Sequence, residues 1–460
     1  MEGRDTAHIG SSGEVKRRQE LRTLIAELLG IKRTVEEKAK GTRAQNLASA
    51  VNKETLEAIH KGMDGKKAVG VDGVTKAGYQ EHLDENLDNL LARMKAGRYK
   101  PNPSRRAYID KPGSNKKRPL GISCYEDKLV EKAVAQILEI VYEPRFMNCS
   151  YGFRPGRNCH QSIREVIEDI HHRKTNYVVE ADIRSFFDTL NHDWLIKFLE
   201  HDIADRKFID IIRKQLKAGI LEDGKLLVKE EGSPQGGGAS AALANVYLHY
   251  VLDLWFEKSV KKQFQGEAYL IRYADDFVCC FQYKNEAERF YKMLAERMAK
   301  FQLELAPEKT RVLEFGRFAA RDRKARGERK PETFSFLGFT FYCSLDSRKQ
   351  FFRVKVKTDR KKLISKLKKL NIWLKEHRHY QLKEMIKRIN QSMRGHYQYY
   401  GVTDNTPSLE RFRHIVRSLL FKWLNRRSQR RSYTWEAFDK RIMKIFPLLR
   451  PKITVSLFYK

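Results

Sequence analysis

The chain has 460 residues, enough for two or three domains with cores of their own, and 41% of them are apolar, which excludes a disordered protein. No apolar run reaches the ~18 residues of a membrane span. The formal net charge is +33, with 91 Lys+Arg against 58 Asp+Glu, which points to a polyanionic partner and away from an acidic scaffold.

The polar start, MEGRDTAHIGSSGEVKRRQE, lacks a signal-peptide core. Residues 14–60 are rich in helix formers and predict helix, so residues 1–60 read as an N-terminal helical extension. VGVDGV (69–74) is a loop, and the leucine spacing after it predicts a helix stopped at Gly97. Residues 105–122 read as strand, basic turn, strand. Residues 126–146 form an amphipathic helix broken at Pro144. NYVVEADIRSFFDTLNHDWL (176–195) is a β-branched strand ending at Asp182, a helical turn, and a new helix after Asn191. Residues 230–258 are a glycine-rich loop feeding a long helix. AYLIRYADDFVCCF (268–281) is a hairpin, residues 286–303 a helix, 316–333 a charged loop, and FSFLGFTFYC (334–343) one apolar strand. Basic helices follow from about residue 355. Residues 351–460 carry 29 Lys+Arg against 7 Asp+Glu, about two thirds of the whole excess, with aromatics between the charges. That mixture favours nucleic acid over an anionic membrane, because rings pack on bases and sugars. Six scattered cysteines have no zinc-ligand spacing and predict reduced thiols in a cytoplasmic protein.

Two adjacent carboxylates, Asp275 and Asp276, stand at the centre of the apolar hairpin, where their mutual repulsion is costly. Divalent cations would remove that cost. An enzyme that joins nucleotides uses two such ions about 4 Å apart, held by hard oxygen ligands. Asp182, at the end of the other β-branched strand, is the expected partner, and the Ile183 carbonyl is a further ligand. Strand alternation sends Asp275 and Asp276 to opposite faces, so Asp275 is assigned as the ligand and Asp276 as the second-line carboxylate. On spacing alone, a turn pair and a helix cap remain open.

The neighbourhood decides between them. GVDGV (70–74), KPGSNKKRPLGI (111–122), SYGFRPGRNCHQSI (150–163), ADIRSFFDTLNHDWL (181–195), GSPQGGGASAALANVYL (232–248), RYADDF (272–277), LAPEKTRV (305–312) and FSFLGFTF (334–341) occur in one order. In that order they resemble the boxes of group II intron-encoded reverse transcriptases and their free-standing relatives. RINQSMRGHYQYYG (388–401) and the basic helices after it resemble the maturase, or thumb, segment. The likeness covers about 85% of the chain.

The resemblance implies an α+β right-hand polymerase, with fingers and palm around an antiparallel sheet over 61–345 and a basic helical thumb over 346–460. It implies two Mg²⁺ ions on Asp182, Ile183, Asp275 and Asp276, and a steric gate against ribose at Phe187, Phe186 being the core ring. Lys111 and Arg118 would grip the incoming triphosphate, with Lys116 and Lys117 competing for the lysine's place. Gln235 would touch the nascent base pair, and Lys309 would lie by the triphosphate. Arg154, Arg157, Gly236, Arg394 and Tyr397 would contact template or other nucleic acid. GASAA (238–242) departs from the prolines common in that box. The implied partners are an RNA template, a DNA primer, dNTPs and structured intron RNA, in a cytoplasmic ribonucleoprotein. No cysteine-rich or histidine-asparagine nuclease segment is visible, so no endonuclease domain is expected. Two other roles stay open: a free-standing enzyme of DNA repair or phage defence, and an RNA-binding splicing cofactor with vestigial polymerase activity. Retention of the three aspartates and Phe187 argues against the second.

Overall fold

The computed structural model describes residues 12–28, 43–110, 117–227, 231–232, 236–346, 348–428 and 433–458. None of its described helices is long and apolar enough to cross a membrane. The strands are β1 (Ser104–Asp110), β2 (Lys117–Ile122), β3 (Tyr177–Asp182), β4 (Ile220–Glu222), β5 (Lys225–Leu227), β6 (Ala268–Tyr273), β7 (Asp276–Phe281), β8 (Arg311–Glu314), β9 (Phe334–Phe336), β10 (Phe339–Leu345) and β11 (Phe352–Thr358). They make three sheets among helices, ordered β2-β1-β4-β5, β6-β7-β3-β8 and β11-β10-β9. The mixed α/β class is the one expected.

The β6-β7-β3-β8 sheet is antiparallel throughout. It is apolar on both sides because it separates two cores. Val179, Ala181, Phe277 and Cys279 pack on one face with the helices Tyr125–Tyr142 and Ser240–Leu248. Val178, Val278 and Cys280 pack on the other with β9–β11 and the helices Cys159–His171, Arg360–Glu376, Leu382–Tyr400 and Thr406–Leu424. A boundary at 345/346 falls inside the β10–β11 hairpin, and the basic helices share their core with the sheet.

Several local expectations change. Residues 14–60 are not one helix: Ser12–Leu28 and Lys53–Gly62 are separate, with Asn46 left-handed (φ 56°) and Asn52 capping the second through Thr55 N. The helix before Gly97 is interrupted at His82, between Lys76–Glu81 and Leu83–Lys95. Residues 334–343 are a hairpin, because Leu337 and Gly338 both take positive φ (50° and 78°), the pattern of a two-residue type I′ turn. The charged loop 316–333 contains a helix, Ala319–Ala325. The long helix after the glycine-rich loop holds two π-helical stretches, His249–Asp253 and Phe256–Val260.

Candidate active site

β3 and β7 run antiparallel with Asp182 directly opposite Asp276. Direct opposition puts both side chains on one face, the face that carries Val178 and Val278. Asp275 lies in the two-residue turn between β6 and β7, which Ala274 enters at φ 58°. The register therefore gives the cross-strand place to Asp276, where the sequence suggested Asp275 as the leading ligand. Like charges directly opposite in a sheet are destabilising, so this pair calls for a cation. Lys309 supplies one: its ammonium donates to Asp182 Oδ2. The turn that carries Lys309 is fixed at the strand end, where Ala306 N donates to the Asp182 carbonyl (2.8 Å) and Lys309 N to the Ala306 carbonyl (3.0 Å). Ile183 is buried and bridges Leu305, and the flanking bonds use Arg184 N and the Asp182 carbonyl, not the Ile183 carbonyl.

Carboxylates and a carbonyl at strand ends are the hard oxygen donors that Mg²⁺ takes. Among the described residues, no three His, Cys, Asp or Glu side chains are gathered closely enough to hold an ion. The aspartates fit as a facing pair beside a third on the turn, not as a closed cage.

Phe186 is buried, whereas Phe187 is half-buried beside it, with ring centroids 5.4 Å apart. A glycine-rich stretch packs close by. A Cβ on Gly232 (φ 88°) would lie 2.9 Å from the Asp188 carbonyl oxygen, and one on Gly236 (φ 109°) 3.1 Å from the Gly121 carbonyl oxygen of β2. Gly236 thus lies against the strand that bears Arg118, which pairs with Ile109. The glycines span from the Phe187 turn to β2. His192 Nε2 donates to the Gly232 carbonyl (2.6 Å), and burial lowers its pKa against the opposing pull of that bond. Glu131 accepts from Gly238 N and Ser123 Oγ, both at 2.6 Å. Sequence reading assigns no part to His192, though it lies in the 181–195 box, or to Glu131. Lys111 and Gln235 lie outside the described residues.

Two residues depart from their expected parts. Arg154 is 4% exposed, and its guanidinium donates to Glu143 and to the Met147 and Ser150 carbonyls, so it braces its own loop from inside instead of presenting a cation to template. Tyr397 is buried against Phe412, its hydroxyl donating to the Leu449 carbonyl (3.3 Å). Helical periodicity turns it inward while Arg394 faces out. Arg157 is half-buried, donates to Asn148 and lies over the Tyr151 ring.

Beneath the turn lies a group that sequence reasoning missed. Arg272, fully buried, donates to Asp253 (2.7 and 2.6 Å), Asn245 Oδ1 (3.0 Å), Ser150 Oγ (2.8 Å) and the Ala274 carbonyl (2.9 Å). Asn245 Nδ2 donates to the Gly152 carbonyl (2.8 Å). In sequence Arg272 is one more cation in a basic chain.

The chain is similar to known proteins over much of its length. A family model described as reverse transcriptase (RNA-dependent DNA polymerase) matches residues 109–341, and one described as the group II intron maturase-specific domain matches 360–441. Group II intron-encoded protein LtrA of Lactococcus lactis subsp. cremoris is 30% identical over 424 residues, 76% of this chain and 69% of that protein. Protein YkfC of Escherichia coli is 36% identical over 242 residues, 46% of this chain and 63% of that protein. A Schizosaccharomyces pombe protein described as an uncharacterized 91 kDa protein in cob intron is 38% identical over 186 residues, 40% of this chain and 22% of its own.

Proposed function

Because the chain belongs to the group II intron reverse transcriptase and maturase family, and is therefore an RNA-directed DNA polymerase, we propose that it adds dNTPs to a primer 3′-hydroxyl at Asp182, Asp275 and Asp276. The supporting observation is the Asp182–Asp276 pair, two like charges set directly opposite at adjoining strand ends, with Asp275 next to Asp276 on the β6–β7 turn. A charge pair so placed is tolerated where cations come and go.

In this reading the β6-β7-β3-β8 sheet is the palm, β2-β1-β4-β5 belongs to the fingers over 61–345, and the helices from 346 on are the thumb. Two Mg²⁺ ions, when bound, would activate the 3′-hydroxyl and offset charge on the leaving pyrophosphate. The three carboxylates and the Ile183 carbonyl would hold them. Lys309 would leave Asp182 for the triphosphate, with Arg118 and Lys111 holding its oxygens. Phe187, half-buried beside Phe186, would fill the space of a ribose 2′-hydroxyl. Gln235, Gly236 and Arg157 would line the template, and Arg154 would act indirectly by fixing Arg157's loop. The outward basic face of the 346–460 helices, Arg394 included, would grip structured intron RNA to aid splicing and mobility.

Primer extension on an RNA template, with dNTPs or NTPs and with or without Mg²⁺, tests this. Asp182→Ala and Asp275→Ala should each lower dNTP incorporation by about three orders of magnitude, the worth of several kcal/mol of transition-state stabilisation. RNA binding should be retained. Near-normal extension by either variant would remove the assignment.

A further inference from the structure

We propose that Arg272 is a positioning residue for the polymerase reaction: its buried guanidinium fixes the β6–β7 turn so that Asp275 and Asp276 meet Asp182 in working geometry. The inference rests on the site reading above. Arg272 pairs with Phe277, so its side chain leaves the sheet on the face opposite Asp182 and Asp276. It stands behind the Asp182–Asp276 pair, hydrogen-bonded to the turn backbone, and it also feels the charge of Asp275.

Two separate segments converge on it, one helical run and one loop. Asp253, at the end of the π-helical stretch His249–Asp253, gives both carboxylate oxygens. A π turn widens the helix and re-aims the residues that follow. Asn245, eight residues earlier in the same helical run, binds both Arg272 and the Gly152 carbonyl. The loop before Gly152 closes on the strand as well: Tyr151 N donates to the Arg272 carbonyl and Arg272 N to the Cys149 carbonyl, both at 2.8 Å. A Cβ on Gly152 would lie 2.3 Å from Ala274 N, so this loop is in direct contact with the turn.

The last bond gives the network its purpose. Arg272 Nη1 holds the carbonyl of Ala274, the left-handed residue immediately before Asp275. A non-glycine residue at positive φ persists only where its surroundings fix it. Stability alone does not explain the arrangement. A buried ion pair gains little over an apolar pair of similar volume, because both charges lose their water. An apolar pair cannot make directional bonds to the Ala274 carbonyl, Asn245 and Ser150.

Two variants separate positioning from bracing. Arg272→Met combined with Asp253→Leu removes both charges together. Arg272→Lys keeps a charge opposite Asp253 but cannot span Asp253 and the Ala274 carbonyl as a fork does. Circular dichroism and thermal melting report folding. Steady-state primer extension reports kcat, the dNTP KM and the Mg²⁺ concentration for half-maximal rate, and filter binding reports primer–template affinity.

The expected result for each folded variant is a kcat lowered by about a hundred-fold, the effect of an ångström-scale misplacement. The Mg²⁺ requirement should rise several-fold, while primer–template affinity stays within about two-fold; a brace distant from the site would leave the Mg²⁺ requirement unchanged. A folded variant with kcat and Mg²⁺ requirement near those of the parent overturns the proposal. So does loss of fold in both variants, which would make Arg272 a structural brace only. Asp275→Ala run alongside keeps the two claims apart. If it stays active, the site reading fails; if it is inactive while the Arg272 variants match the parent, only the present inference fails.

Discussion

Phe186 and Phe187 are adjacent in one short helix, yet one ring is core and the other is half-open. If Phe187 excludes the ribose hydroxyl, Phe187→Val should raise NTP use relative to dNTP by about ten-fold or more, on the scale that small steric changes give in pockets. The ratio of the two kcat/KM values measures it, and an unchanged ratio would place the gate elsewhere. Lys309 makes a separate point. Its ammonium offsets charge at Asp182 while no divalent ion is bound, so Lys309→Met should leave the carboxylate pair exposed to its own repulsion. Millimolar Mg²⁺ should then raise the Tm of this variant more than that of the parent, by the increment of a half-exposed pair, about 1 kcal/mol or less. At this scale the sequence was legible where chemistry is unusual, two carboxylates amid apolar residues, and illegible where it is ordinary. Arg154 looks like a phosphate-binding cation and Arg272 like one more surface charge, and only tertiary burial turns both inward.

Elements were readable where periodicity and caps agreed. β3, the Asn191-capped helix His192–Asp202 and the helix Lys284–Lys300 lie where pattern places them. The β9–β10 hairpin was not, since the apolar run FSFLGFTF hides its turn. Tertiary contacts define it: Tyr399 donates to the Leu337 carbonyl (2.8 Å), and a Cβ on Gly338 would lie 2.8 Å from the Tyr400 hydroxyl oxygen. The aromatic cluster of the helix Leu382–Tyr400 thus fastens a hairpin, a use that the composition GHYQYY does not reveal. His396 of that helix is 1% exposed, 4.0 Å from the Phe412 ring centroid, and neither ring nitrogen has a partner among the described residues. Burial, with Lys366 adding to it, pushes its pKa down to about 3. An unfolded histidine takes its proton near pH ~6.5, so between there and about 3 the unfolded chain binds more protons and stability falls as pH falls, by about 1.4 kcal/mol per pH unit. His396→Phe keeps the ring and removes this slope. Its Tm advantage over the parent should widen between about pH 7.5 and pH 5, where the group's contribution reaches about 2 kcal/mol. A constant difference would mean that His396 takes up its proton over the same pH range folded as unfolded.

Across the whole molecule, charge and core have different boundaries. The basic helices after residue 355 share one core with the β6-β7-β3-β8 sheet, so the segment richest in cations is packed on the same face of the sheet that carries Asp182 and Asp276 at its strand ends. Composition revealed the excess charge; it could not reveal this packing, which depends on contacts far apart in sequence. The helix Arg360–Glu376 illustrates the consequence. Leu363, Leu367, Leu370 and Leu374 face the core, which leaves Lys361, Lys362, Lys368 and Lys369 on the exposed side. Buried leucines fix the helix, and the lysines contribute nothing to its packing, so they can be changed without loss of fold. If structured RNA releases counterions from this face, replacing the four lysines with glutamine should leave the Tm nearly unchanged. It should also reduce the slope of log K against log salt for RNA binding by up to about 3, taking roughly 0.7 per phosphate contact. The same variant should extend a short primer–template at close to the parental rate, because none of the four is placed at the carboxylates. An unaltered salt slope would assign the RNA contact to another face of the 346–460 helices, Arg394 on the helix Leu382–Tyr400 being the next to neutralise.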